Sequence, residues 1–412
     1  MPDILSQGGG RELGPWPRRV AVVTALVLVA VAIVYYLPHS RHGATPQSKP
    51  TVTASPLPPA VSGAVSGDGV VADEPDGITG QVSPWPSGLR LLAAGHRPAW
   101  FWPATGQTEP IEGLPQRSGY QFDRAPGGWT VQGRSAEAGC GCAGPPRSVY
   151  FLADAGRSVT PLGQAAAVAP GTPGSAGRAG TVWLTSYPPD AAPAAAAGTA
   201  QEVSVAGQRL GRPVRLPAGY LIVQGTSAGL LLAPVGQLGS AADKLWDPGT
   251  RRYAGAFGGV IAASATRIAW VAPCTGRCRV QVLDLATGRQ VTAELPKTSS
   301  VASASFSPDG ALLALQVSFG DNDDDGQLAV QLQVVSTASG RLTVVPQTWA
   351  SSDALVGFGW PASGDNLVAE LNFTTKTQLA SWRPGAGQLA IAVLTSARSP
   401  AALVFGQYSP LP

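Results

Sequence analysis

Four cysteines and one run of aspartates are the residues of this sequence best suited to chemistry. Cys274 and Cys278 bracket Thr-Gly-Arg, and Cys140 and Cys142 bracket a single glycine. Three intervening residues let two thiols face each other across a hairpin at disulfide distance. A Cys274–Cys278 bond is therefore expected in an oxidising compartment. One intervening residue makes a strained ring, so Cys140 and Cys142 fit either a redox-active pair or pairing with the other loop. Four thiolates also suffice for a tetrahedral zinc. Against zinc, 131 residues separate Cys142 from Cys274, and an oxidising compartment disfavours free thiols.

The aspartates lie in Asp-Asn-Asp-Asp-Asp-Gly, residues 321–326. Asp321, Asp323, Asp325 and Gly326 follow the D-x-D-x-D-G opening of a calcium loop, in which hard oxygens alternate and glycine makes the sharp turn. The twelfth position, where an EF-hand places Glu, is Leu332, and the ninth is Ala329. A calcium ion bound there would need its last carboxylate from another loop. The competing reading is a polar hairpin tip kept soluble by its charge.

Catalytic constellations are sparse. The chain has three histidines, His39, His42 and His96, so a Ser-His-Asp or Cys-His arrangement within the folded part has only His96 to use. No G-x-S-x-G elbow is followed by a hydrolase domain. Glu370 falls inside an apolar strand pattern, where a carboxylate must find a partner or stay neutral.

These residues need elements to position them, and the elements repeat. A small-Gly-polar turn follows an apolar run at Gly106, Gly156, Gly207, Gly249, Gly288, Gly340 and Gly387. The spacings are 50, 51, 42, 39, 52 and 47 residues. A period in the forties with four strands per unit is the pattern of a β-propeller, and each glycine is expected to supply the positive φ of a tight hairpin. The clearest unit reads VIAAS, RIAWVAP, RVQVLDL, QVTAEL over residues 260–295. The next opens VASASFS and turns at Pro308-Asp309-Gly310. The strands are nearly continuously apolar, as sheets covered on both faces require. Eleven tryptophans suit the wide gaps at the outside of blades. The first unit supplies only three strands, and the chain ends in a spare one, AALVFGQY. Residues 401–408 are therefore expected to close the ring as the inner strand of blade one, hiding two sheet edges.

In such a ring the loops between second and third strands share one face of the disc, and those between third and fourth share the other. The former vary widely and carry all four cysteines and the aspartate run. Variable loops on a regular scaffold are where binding usually resides.

Ahead of the repeats, residues 20–37 form an apolar run without charge. At 1.5 Å per residue, 18 residues span about 27 Å, enough for a bilayer core. Arg18 and Arg19 precede it, which predicts a cytoplasmic tail at 1–19, an uncleaved single-pass helix at 20–37 and an extracytoplasmic remainder. The competing reading is a cleaved signal peptide. Residues 38–87 are Pro-, Ser- and Thr-rich without periodicity and read as a linker, leaving 88–412 for the propeller. Charged residues make up 13% and the net charge is +3, with no basic block to track a phosphate backbone, so no nucleic-acid partner is expected.

Phe306 to Ala314 (FSPDGALLA) and Val282 to Arg289 (VLDLATGR) resemble the WD40-like repeats of bacterial TolB-type β-propellers. The resemblance is good over residues 260–394 and holds only in rhythm before that; the Trp-Asp and Gly-His pairs of eukaryotic WD40 repeats do not recur from unit to unit. It implies the fold and a habit of binding macromolecules, and it transfers no active site. The expectation is thus an all-β, seven-bladed propeller behind one transmembrane helix and a linker. It would act as a non-enzymatic binding module for an envelope protein, peptide or cell-wall polymer. Its binding face would carry Cys140, Cys142, Cys274, Cys278, Asp321, Asp323 and Asp325, with no cofactor other than calcium. The alternative is a polysaccharide hydrolase or lyase with carboxylates gathered at the channel mouth.

Overall fold

The computed structural model describes residues 78, 82–115, 119–133, 146–174, 179–188, 196–235, 242–275, 277–319, 329–348, 350–351, 355–361, 365–373, 376–394 and 402–405. These belong to one compact unit, Val70–Pro412. The apolar run at 20–37 lies outside the described residues, as do Cys140, Cys142, Asp321, Asp323 and Asp325. Among the described residues no helix is long and apolar enough to cross a membrane.

Seven antiparallel sheets follow one another along the chain. Blade two runs Tyr120–Ala125, Gly128–Gly133, Arg147–Ala153, Val159–Ala165 from the inside outward. Blade three is Ala167–Pro170, Thr181–Ser186, Thr199–Ser204, Arg209–Arg215. Blade four is Tyr220–Thr226, Gly229–Pro234, Asp243–Asp247, Arg252–Phe257. Blade five is Val260–Ala263, Arg267–Thr275, Arg277–Asp284, Gln290–Glu294. Blade six is Ser299–Phe306, Leu312–Phe319, Ala329–Ser336, Leu342–Val344, with Ala350–Ser351 added against its third strand. Blade seven is Leu355–Gly359, Leu367–Asn372, Thr377–Trp382, Leu389–Leu394. The divergent stretch before residue 260 therefore holds whole blades, and the ring has seven.

Blade one is built from both ends of the chain. Leu91–Ala94, Ala99–Trp102 and Gln107–Pro110 are its outer three strands, and Ala402–Val404 pairs antiparallel with the first of them. Closure by the C-terminal strand is as the spare strand in the sequence implies. A second seam element was not legible. Val82–Ser83 lies parallel to Leu389–Leu394 as a fifth strand on blade seven, and the Ile78 amide donates to Gln378 Oε1 at 2.7 Å. The chain thus engages the propeller before residue 88, inside the stretch that reads as linker by composition. A two-residue strand with polar neighbours carries no periodic signal, because the pairing that makes it a strand is wholly non-local.

Each blade interface has its own apolar cluster. Leu313, Leu315 and Val317 of blade six meet Val280, Val282 and Ala293 of blade five, all 2% exposed or less. Phe358 and Leu371 of blade seven face Leu332 and Val330 of blade six. Val368 and Leu379 face Leu91 and Phe101 across the closing seam, and Leu92 and Trp100 face Val131 and Leu152 of blade two. Alternate residues of one strand go to opposite neighbours, which is why the strands read as unbroken apolar runs.

The turns confirm the register and correct its detail. All seven predicted glycines fall between third and fourth strands of successive blades. Gly106, Gly207, Gly288 and Gly340 have φ of 70°, 86°, 69° and 72°. Gly156, Gly249 and Gly387 do not adopt positive φ; in blades four and seven Arg251 (56°) and Gly385 (85°) take that conformation. The tight bend is needed in each blade, but its left-handed residue shifts with turn length. At 307–310 the expected turn forms, with Gly310 at φ 70°, the Gly310 amide donating to Ser307 O at 2.8 Å and the Ala311 amide to Asp309 Oδ1 at 2.9 Å. The tryptophans depart from expectation. Trp100, Trp102, Trp129, Trp183, Trp246, Trp270 and Trp382 lie on second or third strands, not at the outside, because rings there fill both the radial and the inter-blade gap.

Candidate functional site

Strand direction assigns each connection to a face. The loop face carries the connections from second to third strands and from each blade to the next. The turn face carries the first-to-second and third-to-fourth connections.

On the loop face the described sequence-predicted residues are Cys274 and Cys278. They form a disulfide, with Cα atoms 4.5 Å apart. The two longest strands of blade five, Arg267–Thr275 and Arg277–Asp284, pair in register from Arg267–Asp284 to Ala272–Arg279 and then shift before Thr275–Arg277. The disulfide clamps the hairpin where regular pairing lapses. Cys274 is exposed and Cys278 half-buried. Arg277 and Arg279 reach Glu294 at 3.8 and 3.4 Å, an exposed network beside the hairpin's tip. Whether the other predicted residues join it is outside the described residues. His96 is exposed in a turn of blade one.

The carboxyls with raised titration are dispersed. Burial lifts Asp243 to about 6, at the start of the third strand of blade four. Burial also raises Asp123 on the inner strand of blade two, partly offset by the Gln121 amide at 3.1 Å. Glu370, on the second strand of blade seven, is raised by burial alone. They occupy three blades and form no common cluster. Among the described residues no group of three His, Cys, Asp or Glu side chains could hold a metal ion.

The turn face holds what the sequence did not announce, a cavity of about 330 Å³ where blades seven, one and two meet. Its walls are Leu89, Trp100, Trp129, Trp360 and Phe405, and its polar side chains are Arg90 and Asp154. The Arg90 guanidinium lies 4.2 Å from the centroid of Trp100 and 5.8 Å from that of Trp102, and it donates to the Asp154 carbonyl. Arg124 binds the Asp154 carboxylate through both nitrogens, one at 2.8 Å, and lies 5.1 Å from the Trp129 centroid. Trp100 donates its indole N–H to Gly156 O at 2.7 Å, and Trp360 donates to Ser305 O at 3.1 Å. Both rings are thereby locked by their edges and present carbon faces. The one sequence signal for this cavity is indirect: blade one is incomplete, and its neighbourhood, residues 85–102, is rich in Trp and Arg.

The chain matches no known protein-family model and no curated protein. Solved structures that it resembles include Hsv2 of Kluyveromyces lactis (12% identity, TM-score 0.43, 65% of this chain and 74% of that one). Hydrazine synthase of Kuenenia stuttgartiensis is another (16%, 0.39, 63% and 75%). A third is a protein assigned as TolB from Agrobacterium tumefaciens (11%, 0.33, 75% and 100%). The resemblance is one of fold.

Proposed function

We propose that this chain is a membrane-anchored, extracytoplasmic binding module. Residues 20–37 anchor it, a spacer follows, and the propeller holds an envelope protein, a peptide or a cell-wall polymer on its loop face. The observation that carries this reading is the Cys274–Cys278 disulfide at the tip of the blade five hairpin. Disulfides persist outside the reducing cytoplasm, which supports an extracytoplasmic propeller. A cross-link at an exposed loop tip also removes conformations that a partner would otherwise have to freeze on binding. The seven-bladed scaffold supports it further, since it sets seven such loops on one rigid rim.

The test is capture of detergent-solubilised envelope on immobilised residues 70–412, the compact unit. A control carries shortened loops at 134–145 and 320–328 and serines at 274 and 278. A component retained by the natural unit and lost by the control supports the reading. Equal retention on both, or none on either, overturns it.

A further inference from the structure

The cavity on the turn face has a charge and a shape that specify a ligand class, independently of what the loop face binds. Among the described residues Arg90 and Asp154 line it, Glu109 and Arg157 act on Arg90 electrostatically and Arg124 pairs with Asp154, so three arginines stand against two carboxylates. The pairing is not shared equally. Arg124 is committed to Asp154, and Arg157 to Glu109 on the outer strand of blade one. Among the described residues Arg90 has no carboxylate partner; its polar contact is the Asp154 carbonyl.

Arg90 is also held in place before any ligand arrives. One face of its guanidinium rests on Trp100, which is itself tied to Gly156 O at 2.7 Å. Stacking on an indole costs an arginine little hydration and leaves its edge N–H groups free. A guanidinium edge matches the two oxygens of a carboxylate in a parallel, two-bond geometry. Burial pulls the Arg90 pKa below its usual value, with the Glu109 and Asp154 carboxylates acting against it and Arg157 adding to it. An anion brought to Arg90 would therefore meet a guanidinium that has already given up part of its hydration.

The remaining wall decides what the anion is attached to. Leu89, Trp129 and Trp360 are each 5% exposed or less and line the cavity together with Phe405. Among the described residues Arg90 and Asp154 are the only charged side chains in the lining. A sugar would bring several hydroxyls to a lining whose described polar side chains, Arg90 and Asp154, are already hydrogen-bonded, at about 1–3 kcal/mol for each hydroxyl left unpaired. Among the described residues a phosphate dianion would meet one cation without a carboxylate partner where its charge calls for two. A monoanion on a compact apolar body fits both the charge and the surface. The volume, about 330 Å³, is at the small end of ligand cavities.

We propose that this cavity is a carboxylate site, in which Arg90 pairs with the acid and Trp129, Trp360, Leu89 and Phe405 enclose an apolar tail. The same chemistry is offered by a free apolar acid and by the C-terminal residue of a polypeptide ending in an apolar side chain.

The test titrates the full-length chain with four probes: N-acetyl-leucine, N-acetyl-leucinamide, an acetylated Gly-Ser-Ala-Leu peptide with a free carboxylate, and the same peptide as its amide. Calorimetry gives affinity, and tryptophan fluorescence reports occupancy, since three tryptophans line the cavity. The acids should bind at least about tenfold more tightly than their amides, the ratio a charge-assisted pair supplies. Arg90→Met should bring acid and amide to equal affinity, and Arg90→Lys should restore part of the difference. If the peptide acid binds more tightly than N-acetyl-leucine, the source is a polypeptide terminus; equal or weaker binding points to a free acid. Equal affinity of acid and amide, or no binding of either acid up to about 10 mM, overturns the proposal. An acid–amide ratio that survives in a folded Arg90→Met chain overturns it too. Should Arg90→Met not fold, the acid–amide comparison on the unaltered chain still decides.

Discussion

Blades five and six are each made from one continuous stretch of chain, whereas blade one takes its inner strand from the far end of the sequence. The two regions bury their interfaces differently. Between blades five and six, Leu313, Leu315, Val317 and Val280 are each 0% exposed and the packing is continuous. Around blade one the described inner strand has three residues, Ala402–Val404, and Phe405 beyond it packs against the seam cluster while also bordering a cavity. A repeat that continues into its neighbour fills the wedge between sheets with the same residues each time. Where the ring is closed by a short strand arriving from elsewhere, the wedge is filled by whatever the two chain ends supply. The gap left over is the cavity on the turn face, and the irregular residues around it, Arg90, Trp100 and Trp360, are its chemistry.

The contrast can be broken most severely by removing residues 401–412. That deletion exposes the inner edge of blade one and the Leu92 and Phe101 clusters behind it. The expected cost exceeds about 5 kcal/mol, more than any single core truncation, read as loss of cooperative thermal unfolding. A cooperative transition within about 2 °C of the intact chain, which corresponds to about 1 kcal/mol, would mean the strand is dispensable. Next, Leu313→Ala in the continuous interface should cost about 2–5 kcal/mol by denaturant unfolding. Leu89→Ala should cost only about 1–2 kcal/mol, since its side chain already borders a void and loses fewer dispersion contacts. Equal costs at the two positions would show that the seam is packed as tightly as the repeats.

Smaller effects test the regular blades on their own. Cys274→Ser with Cys278→Ser should destabilise by about 1 kcal/mol. The chain-entropy cost for a five-residue loop is about 2 kcal/mol, and a hairpin already paired on both sides retains part of that order. An unchanged midpoint under reducing conditions would argue that the disulfide serves only the loop tip. Asp243 acts in the other direction. Its folded pKa, about 6, lies above that of the unfolded chain. The folded state therefore keeps a proton that the unfolded state releases, and stability falls as pH rises from about 4 to about 6, then stays level. Asp243→Asn should raise stability at pH 7 by about 1 kcal/mol, after allowance for partial solvent screening, and leave it unchanged near pH 3. A gain of equal size at both pH values would assign the effect to something other than this carboxyl.

The sequence by itself determined the repeat, and the repeat determined the architecture. Unbroken apolar strands, small-Gly-polar turns every forty to fifty residues and a leftover C-terminal strand are local signals, each legible within about ten residues of chain. The Cys274–Cys278 bond was legible for the same reason, since its partners are four residues apart. Only the tertiary structure decided the rest. Val82–Ser83 becomes a strand because Leu389 and Ala390 lie beside it, some three hundred residues away. The left-handed residue of the blade four turn moves from Gly249 to Arg251 through the geometry of its hairpin. Arg90 meets Trp360 and Phe405 at one cavity only because three blades converge there. A pattern read along the chain records which residues seek burial; it does not record which distant segments will fail to fill the space between them.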